Sequence, residues 1–482
     1  MRKSVEWMCA ALLGALTGAA GCVPELEREP READTSVPDS YEEATDATSA
    51  ADVSSQVHSA ADVSWKEFFT DARLTDLIEL ALRNNQELSI ALLEVDLAQY
   101  EVLAKQGEYL PKLSFAAGAG LEKVGEDTSQ GRSDEALDVR EHLPDYLFGL
   151  RASWELDIWG KLRDASDAAA QRYLSTIEGR KFMVTNLVAE VAEAWYELQA
   201  LDARLDVLRQ NIGVQQAALD VVRLQKQAGR VTELAVKRFE AEVLEYQSRL
   251  YSIQQQVTVT ENRLNFLAGR FRQPIARGGR GFLEGAPGRV QQGVPAQLLT
   301  NRPDVKQAEL ALEAAKLDVD VARKSYYPSL EIDAGVLYNS FKAATLVDTP
   351  ASLAYLVAAQ LTQPLWNRNE LNAGWFSANA KQLQAVIAYE RTILRAFNEV
   401  SNQLSMVQNL ERSYALRAQE VQRLEESIAI SADLFRSARA DYMEVLLTRR
   451  DALDAQMELI ETRKQQLNAR VQLYRALGGG WE

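Results

Sequence analysis

Two hydrophobic rhythms divide this chain. One steps by threes and fours: Val191, Ala194, Leu198, Leu201, Leu205, Leu208 and Ile212, then Gln215, Leu219 and Val222. It returns in Val243, Tyr246, Leu250, Ile253, Val257, Thr260, Leu264 and Leu267, and in Phe397, Val400, Leu404 and Val407. A last run holds Leu453, Met457, Ile460, Lys464, Leu467, Val471 and Tyr474. Sustained spacing of this kind is the narrow apolar stripe of helices packed as coiled coils. Residues 160–227 contain no proline, so the pattern predicts one helix about 100 Å long at 1.5 Å per residue. A compact globular domain has no use for such a length.

The second rhythm steps by two. Tyr146, Phe148, Leu150, Ala152, Trp154, Leu156 and Ile158 alternate with Gly149, Arg151, Ser153, Glu155 and Asp157. Leu113 to Leu121, Leu330 to Tyr338 and Leu353 to Leu361 alternate likewise. Period 2 predicts strands near 112–122, 146–158, 329–340 and 352–365. One apolar and one polar face fits a soluble sheet lying on a core. It also fits a transmembrane barrel, apolar towards lipid and polar towards a water-filled lumen. The helical stripes are narrow and occupied by one another, which leaves a soluble sheet little to pack on. Four strands cannot close a barrel, and lipid tolerates no open edge, so the barrel reading requires a ring of several copies.

The text is also written twice. "EYLPKLSFAAG" at 108–118 and "SYYPSLEIDAG" at 325–335 share one register, with 328 − 111 = 217 residues between their prolines. Leu88, Ala91, Val95, Ala98 and Val102 match Val305, Ala308, Leu312, Ala315 and Val319 at that offset. "WELDIWGK" from Trp154 corresponds loosely to "LTQPLWNR" from Leu361. Glu190-Val191 matches Glu399-Val400, and Leu267-Ala268-Gly269 is set against Leu477-Gly478-Gly479. The expected organisation is a first unit at 64–269, a Gly- and Pro-rich joint at 270–295 and a second unit at 296–479. Each holds a helix, two strands and a long helical hairpin, so the fold class is mainly α with a small β part.

At the N-terminus, Arg2 and Lys3 precede an apolar run from Trp7 to Ala20. The run is too short to span a bilayer and has the layout of a signal peptide over 1–21. "Ala19-Ala20-Gly21-Cys22" resembles a lipobox, which would make Cys22 a lipidated first residue. Ala19 stands where such motifs usually have Leu, and an ordinary cleaved signal beside an incidental cysteine is the other reading. Residues 22–63 are polar, acidic and aperiodic, and read as a lipidated N-terminus on a disordered tether. An extended segment lying along the body is the alternative.

Composition removes other classes. The formal net charge of −16 argues against nucleic acid as a partner, because phosphates need a basic surface. Two cysteines and two histidines leave no disulfide framework and no Cys/His metal site. His58 and His142 lie near no nucleophile pattern, so no catalytic residue and no cofactor is expected. "GGRG" in the joint lacks the lysine and hydroxyl spacing of a phosphate loop.

With these features in order, the layout from about Trp65 to Leu477 resembles the outer-membrane efflux channel family, the TolC-like proteins, in their lipidated branch. The carriers are "YLPKLSF", "YYPSLEI", "WELDIWGK", "LLTNRPDV" and "EVAEAWYEL". The resemblance implies a homotrimer whose chains build a 12-stranded barrel in outer-membrane lipid, above a periplasmic α-helical tunnel. It implies a passive duct served by a periplasmic adaptor and an inner-membrane pump, in the cell outer membrane and lipid-anchored, with Val23 after Cys22 pointing to that membrane. A duct for type I polypeptide secretion is the alternative, and a trimeric coiled-coil adhesin a more distant one, because adhesins gather all four strands at the C-terminus.

The family's tunnel closes where its helix pairs turn. Here the turns are "QKQAGRVTELAV" at 225–236 and "RSARADYMEVLL" at 436–447. Asp441 and Glu444 are the candidate periplasmic aperture, since threefold symmetry would make each a ring of like charge. Gly229, Arg230, Glu233 and Arg439 are the candidate adaptor-contact tips, with Arg439 set near the place that Gly229 holds in the first unit. A solvated charge at an exposed turn is the alternative for each.

Overall fold

The computed structural model describes residues 23–26, 28–38, 40–41, 63–277, 282–283, 295–366, 368–437 and 439–481. Cys22, the leader it would end, His58 and most of the joint at 270–295 lie outside them. The described helices are α1 (Trp65–Phe68), α2 (Ala72–Asn84), α3 (Gln86–Glu108), α4 (Ser129–Ala136), α5 (Lys161–Gln227), α6 (Glu233–Leu267), α7 (Leu298–Asn301), α8 (Pro303–Lys324), α9 (Asn369–Arg436) and α10 (Tyr442–Ala476). The strands are β1 (Lys112–Glu122), β2 (Leu143–Leu156), β3 (Ser329–Ser340) and β4 (Leu353–Thr362). The chain forms two compact units, one from Met1–Ala33, Val95–Ser175 and Glu309–Ala388, the other from Asp34–Glu94, Thr176–Ala308 and Tyr389–Glu482.

The first unit holds one antiparallel sheet in the order β1-β2-β3-β4. Phe115 pairs with Leu150, Leu150 with Val336, and Ile332 with Ala359. The pairing joins like faces: Phe148 stacks on Tyr338 with ring centroids 5.3 Å apart, while Glu331 stands between Glu155 and Gln360 on the other face. The apolar face is bare in the single chain, with Phe115 67% and Val357 75% exposed. β2 starts three residues before the alternation suggested and stops at Leu156. The Asp157 carboxylate ends it by accepting from the Leu162 and Arg163 amides, both at 3.0 Å, and so serves the start of α5 instead. α8 lies on α5 through ion pairs Arg172–Asp318 and Lys324–Asp164.

The expected free tether is corrected for the described residues of 23–41. Val23 and Leu26 pack against Val319, Tyr326, Trp375 and Ala378. Trp375 Nε1, Asn379 Nδ2 and Gln382 Nε2 donate to the carbonyls of Pro24, Arg28 and Arg31 at 3.0, 2.7 and 2.8 Å. These donors sit four and three residues apart, on one face of α9, and give an irregular segment's backbone the partners it lacks. In the second unit, Tyr41 is buried and stacks on Phe397 at 5.6 Å. A polar, aperiodic composition conceals this docking because the helix supplies the hydrogen-bond donors.

The second unit is helical. Leu201, Leu205 and Leu208 of α5 close on Tyr246 and Ile253 of α6 and on Leu453 and Met457 of α10. Val421 of α9 packs on Ala455 and Leu459 of α10. The ends of α6 and α10 are built alike. Gly269 (φ +63) and Gly478 (φ +97) each hold a left-handed conformation open to glycine. A Cβ at either would meet the carbonyl oxygen of Asn84 or Asn301, at 2.1 and 2.6 Å. This geometry sets Gly269 against Gly478, one residue from the alignment drawn on the sequence, where Gly479 was its match.

Candidate functional site

The first turn begins as α5 runs out at Gln227. The Gly229 amide donates to Lys226 O and the Arg230 amide to Gln225 O, each at 2.9 Å, with Gly229 at φ +70. That is the glycine-closed end that satisfies a helix's last carbonyls. Thr232 occupies the N-cap position of α6 in extended conformation, without a side-chain cap bond. Glu233 then pairs with Lys226 across the turn and lies 3.9 Å from Lys237. The Lys226 hydrogen bond, more than its charge, lowers the Glu233 pKa. Arg230 is exposed. Gly229→Ala should destabilise this turn by about 1 kcal/mol, because a Cβ is strained at positive φ. Hydrogen exchange of its amides should quicken roughly fivefold at that cost, with the helix interiors unchanged.

The second turn repeats the geometry with other residues. The Arg439 amide donates to Leu434 O at 2.9 Å, as that of Arg230 does to Gln225 O. Arg439 is therefore the counterpart of Arg230 rather than of Gly229; Ala438 lies outside the described residues. Asp441 takes the N-cap position of α10, as Thr232 does for α6, with φ −81 and ψ 155. Its carbonyl accepts from the Glu444 amide at 3.1 Å. Asp441 and Glu444 are both exposed, and neither makes an ion pair among the described residues. Their spacing of three puts them on one side of the first turn of α10, where the helix dipole favours negative charge.

The fold brings the two turns together. Leu446, with Tyr442 and Met443 beside it, packs on Val222, Val236 and Phe239. Arg238 Nη1 lies 3.5 Å from Met443 Sδ. One apolar seam thus carries both candidate sets, the acids on one turn and Gly229, Arg230 and Glu233 on the other. Sequence reasoning missed Arg449, one turn into α10 from Glu444. Its Nε and Nη1 are buried without a partner among the described residues, beside a cavity of about 180 Å³ lined by Val222, Phe239, Phe435 and Val445. Its place amid heptad apolar residues was the available signal. Among the described residues no group of three or more His, Cys, Asp or Glu is placed to hold a metal, and no helix is long and apolar enough to cross a membrane.

Comparison with known proteins places this architecture. The pyoverdine export outer membrane protein OpmQ of Pseudomonas putida is 29% identical over 428 residues, 89% of this chain and 90% of its own. The probable outer membrane lipoprotein SilC of Salmonella typhimurium is 27% identical over 470 residues, 96% of each. The crystal structure of a membrane protein from Pseudomonas aeruginosa superposes with a TM-score of 0.83 at 24% identity, covering 95% of this chain and all of that one. The family model described as outer membrane efflux protein matches residues 77–270 and 294–479, and the chain belongs to that family.

Proposed function

We propose that this chain is the outer-membrane duct of a tripartite efflux system. Three copies close a 12-stranded barrel in the membrane, and their helical hairpins form the tunnel beneath it. The observation that carries the reading is a four-stranded sheet that is apolar and bare on one face, with β1 and β4 left as open edges. An open edge is not tolerated in lipid, so the sheet needs other strands to close it. The two units of the sequence, 64–269 and 296–479, are copies of one plan. Cys22 carries the lipid anchor, and residues 23–41 lay the following chain along α9. The duct is passive; a pump in the inner membrane supplies the energy and a periplasmic adaptor meets the paired turns at Gly229, Arg230, Glu233 and Arg439. Relatives are named for pyoverdine, cations and toluene, as suits a duct whose cargo is chosen elsewhere. The test is twofold. The full chain should migrate in outer-membrane fractions as a heat-modifiable trimer and conduct ions in planar bilayers; a soluble monomer without conductance would refute the duct.

A further inference from the structure

A cavity of about 260 Å³ opens beside the end of α6, within the helical unit. α2 contributes Arg73, Asp76 and Leu77 to its wall, α5 contributes Trp195, and the segment after α6 contributes Arg270 and Ile275. Leu77 and Ile275 are buried and make the wall apolar. Trp195 is 1% exposed, yet its Nε1 finds no acceptor among the described residues. A buried N–H without an acceptor is costly and rare in native interiors. Two guanidinium groups share the same cavity. Arg73 is exposed and has no ion pair among the described residues. Arg270 is half-buried, donates from Nε to Asn265 Oδ1 at 2.8 Å, and likewise has no ion pair among the described residues. Asp76, exposed on the same helix as Arg73, neutralises neither of them.

The other half of the chain shows that the fold does not require these groups. The amides that end the long helices correspond at an offset of 434 − 225 = 209 residues, and so do the glycines that end the returning helices, 478 − 269 = 209. By that offset Leu404, also buried, stands in the place of Trp195. Gly479 stands in the place of Arg270, and Tyr474 in the place of Asn265. The Tyr474 ring closes on Gly479, where a Cβ would lie 2.3 Å from it, and stacks on Phe68 with centroids 4.1 Å apart. An aliphatic residue and a closed aromatic contact do the packing there. The indole N–H and the guanidinium of the first half are additions that packing does not explain.

We propose that this cavity binds a small monocarboxylate with an apolar body. The carboxylate accepts from the guanidinium groups of Arg73 and Arg270, the charge-assisted pairing that arginine suits best, and one oxygen also serves the Trp195 N–H. The body of the ligand lies on Leu77 and Ile275, since ligand sites combine an apolar wall with a few placed polar groups. Asp76 disfavours a second negative charge, so a monoanion fits better than a dianion. At about 30 Å³ per water, the volume holds about nine waters, or a ligand of about ten heavy atoms. The site lies within one unit of one chain, so it does not depend on how copies of the chain assemble.

The test is a titration of the detergent-solubilised full chain with para-fluorophenylacetate, followed by fluorine NMR. Saturable line broadening is expected. The neutral para-fluorophenylacetamide should bind at least about tenfold more weakly, because hydrogen bonds to a charged acceptor are roughly twice as strong as neutral ones. Arg73→Gln, at an exposed position, should weaken binding about fivefold without moving the thermal midpoint, and Arg270→Gln should weaken it by a similar factor. Trp195→Phe keeps an aromatic ring in the core, removes only the N–H donor and should weaken binding about threefold. Equal binding of acid and amide, or binding that survives Arg73→Gln and Arg270→Gln together, is partition into detergent and overturns the site. Absence of saturation in the unaltered chain overturns it as well.

Discussion

Arg302→Ala should lower the stability of the helical unit by about 3 kcal/mol, a cost typical of breaking a buried ion pair from one side. Arg302 is 3% exposed and every nitrogen of its guanidinium is used. Nε and Nη2 hold Asp304 at 2.9 and 2.7 Å, Nη1 and Nη2 hold Glu399 at 3.0 Å, and Nη1 also donates to Ala476 O at 2.8 Å. Truncation leaves a buried carbonyl and a largely buried Asp304 without their donor; Glu399, a third exposed, recovers water and moderates the loss. Arg302→Lys should be intermediate, because one ammonium cannot serve three acceptors in the fork geometry. The measurement is the shift in urea midpoint of the detergent-solubilised protein. A shift worth less than about 0.5 kcal/mol would show the cluster to be incidental.

Why that cluster sits where it does was half legible beforehand. "NRPD" announced a helix start, and Pro303 indeed opens α8. Nothing in the motif told that Arg302 reaches the last turn of a helix 174 residues later. The first half shows that the task is general: Asn85, 217 residues before Arg302, donates its Nδ2 to Leu267 O at 3.0 Å. Both side chains cap the carbonyl end of a returning helix, one as an amide and one as a cation held by two acids. Patterns carry local structure well, since 3/4 and 2 spacings follow from helix and strand geometry; hence Lys161–Gln227 and Lys112–Glu122 emerged at their expected places. Bonds between distant segments leave no periodic trace. The sequence left open a segment lying along the body, but the partners of Pro24, Arg28 and Arg31 on α9 were unreadable for this reason, as was the pairing of Tyr442 and Met443 with the other turn. The sequence set Arg439 only near the place of Gly229 for the same reason, because only hydrogen bonds set it against Arg230.

In the proposed duct, removing the acids of the second turn should change which ions pass. Asp441 and Glu444 are exposed on the first turn of α10, and the helix dipole keeps negative charge there favourable. In the proposed threefold ring, with this turn as its aperture, each would become three carboxylates around one axis. At roughly 8 Å from the axis and the dielectric of water, each attracts a monovalent cation by about 0.5 kcal/mol. One ring then contributes about 1.5 kcal/mol, a factor of roughly ten in cation occupancy before screening. Asp441→Ala or Glu444→Ala should therefore reduce the cation-to-anion permeability ratio several-fold, and the double variant should reduce it further. The effect should shrink as salt rises, because the Debye length falls from about 10 Å at 0.1 M to about 3 Å at 1 M. Single-channel reversal potentials in asymmetric salt measure it directly. Arg439→Ala, on the same turn but ahead of the helix, should leave selectivity within error if it faces an adaptor and raise it if it faces the pore. Unaltered selectivity in both acid variants would move the aperture away from this turn, and Arg449, one turn further into α10, would be the next charge to replace.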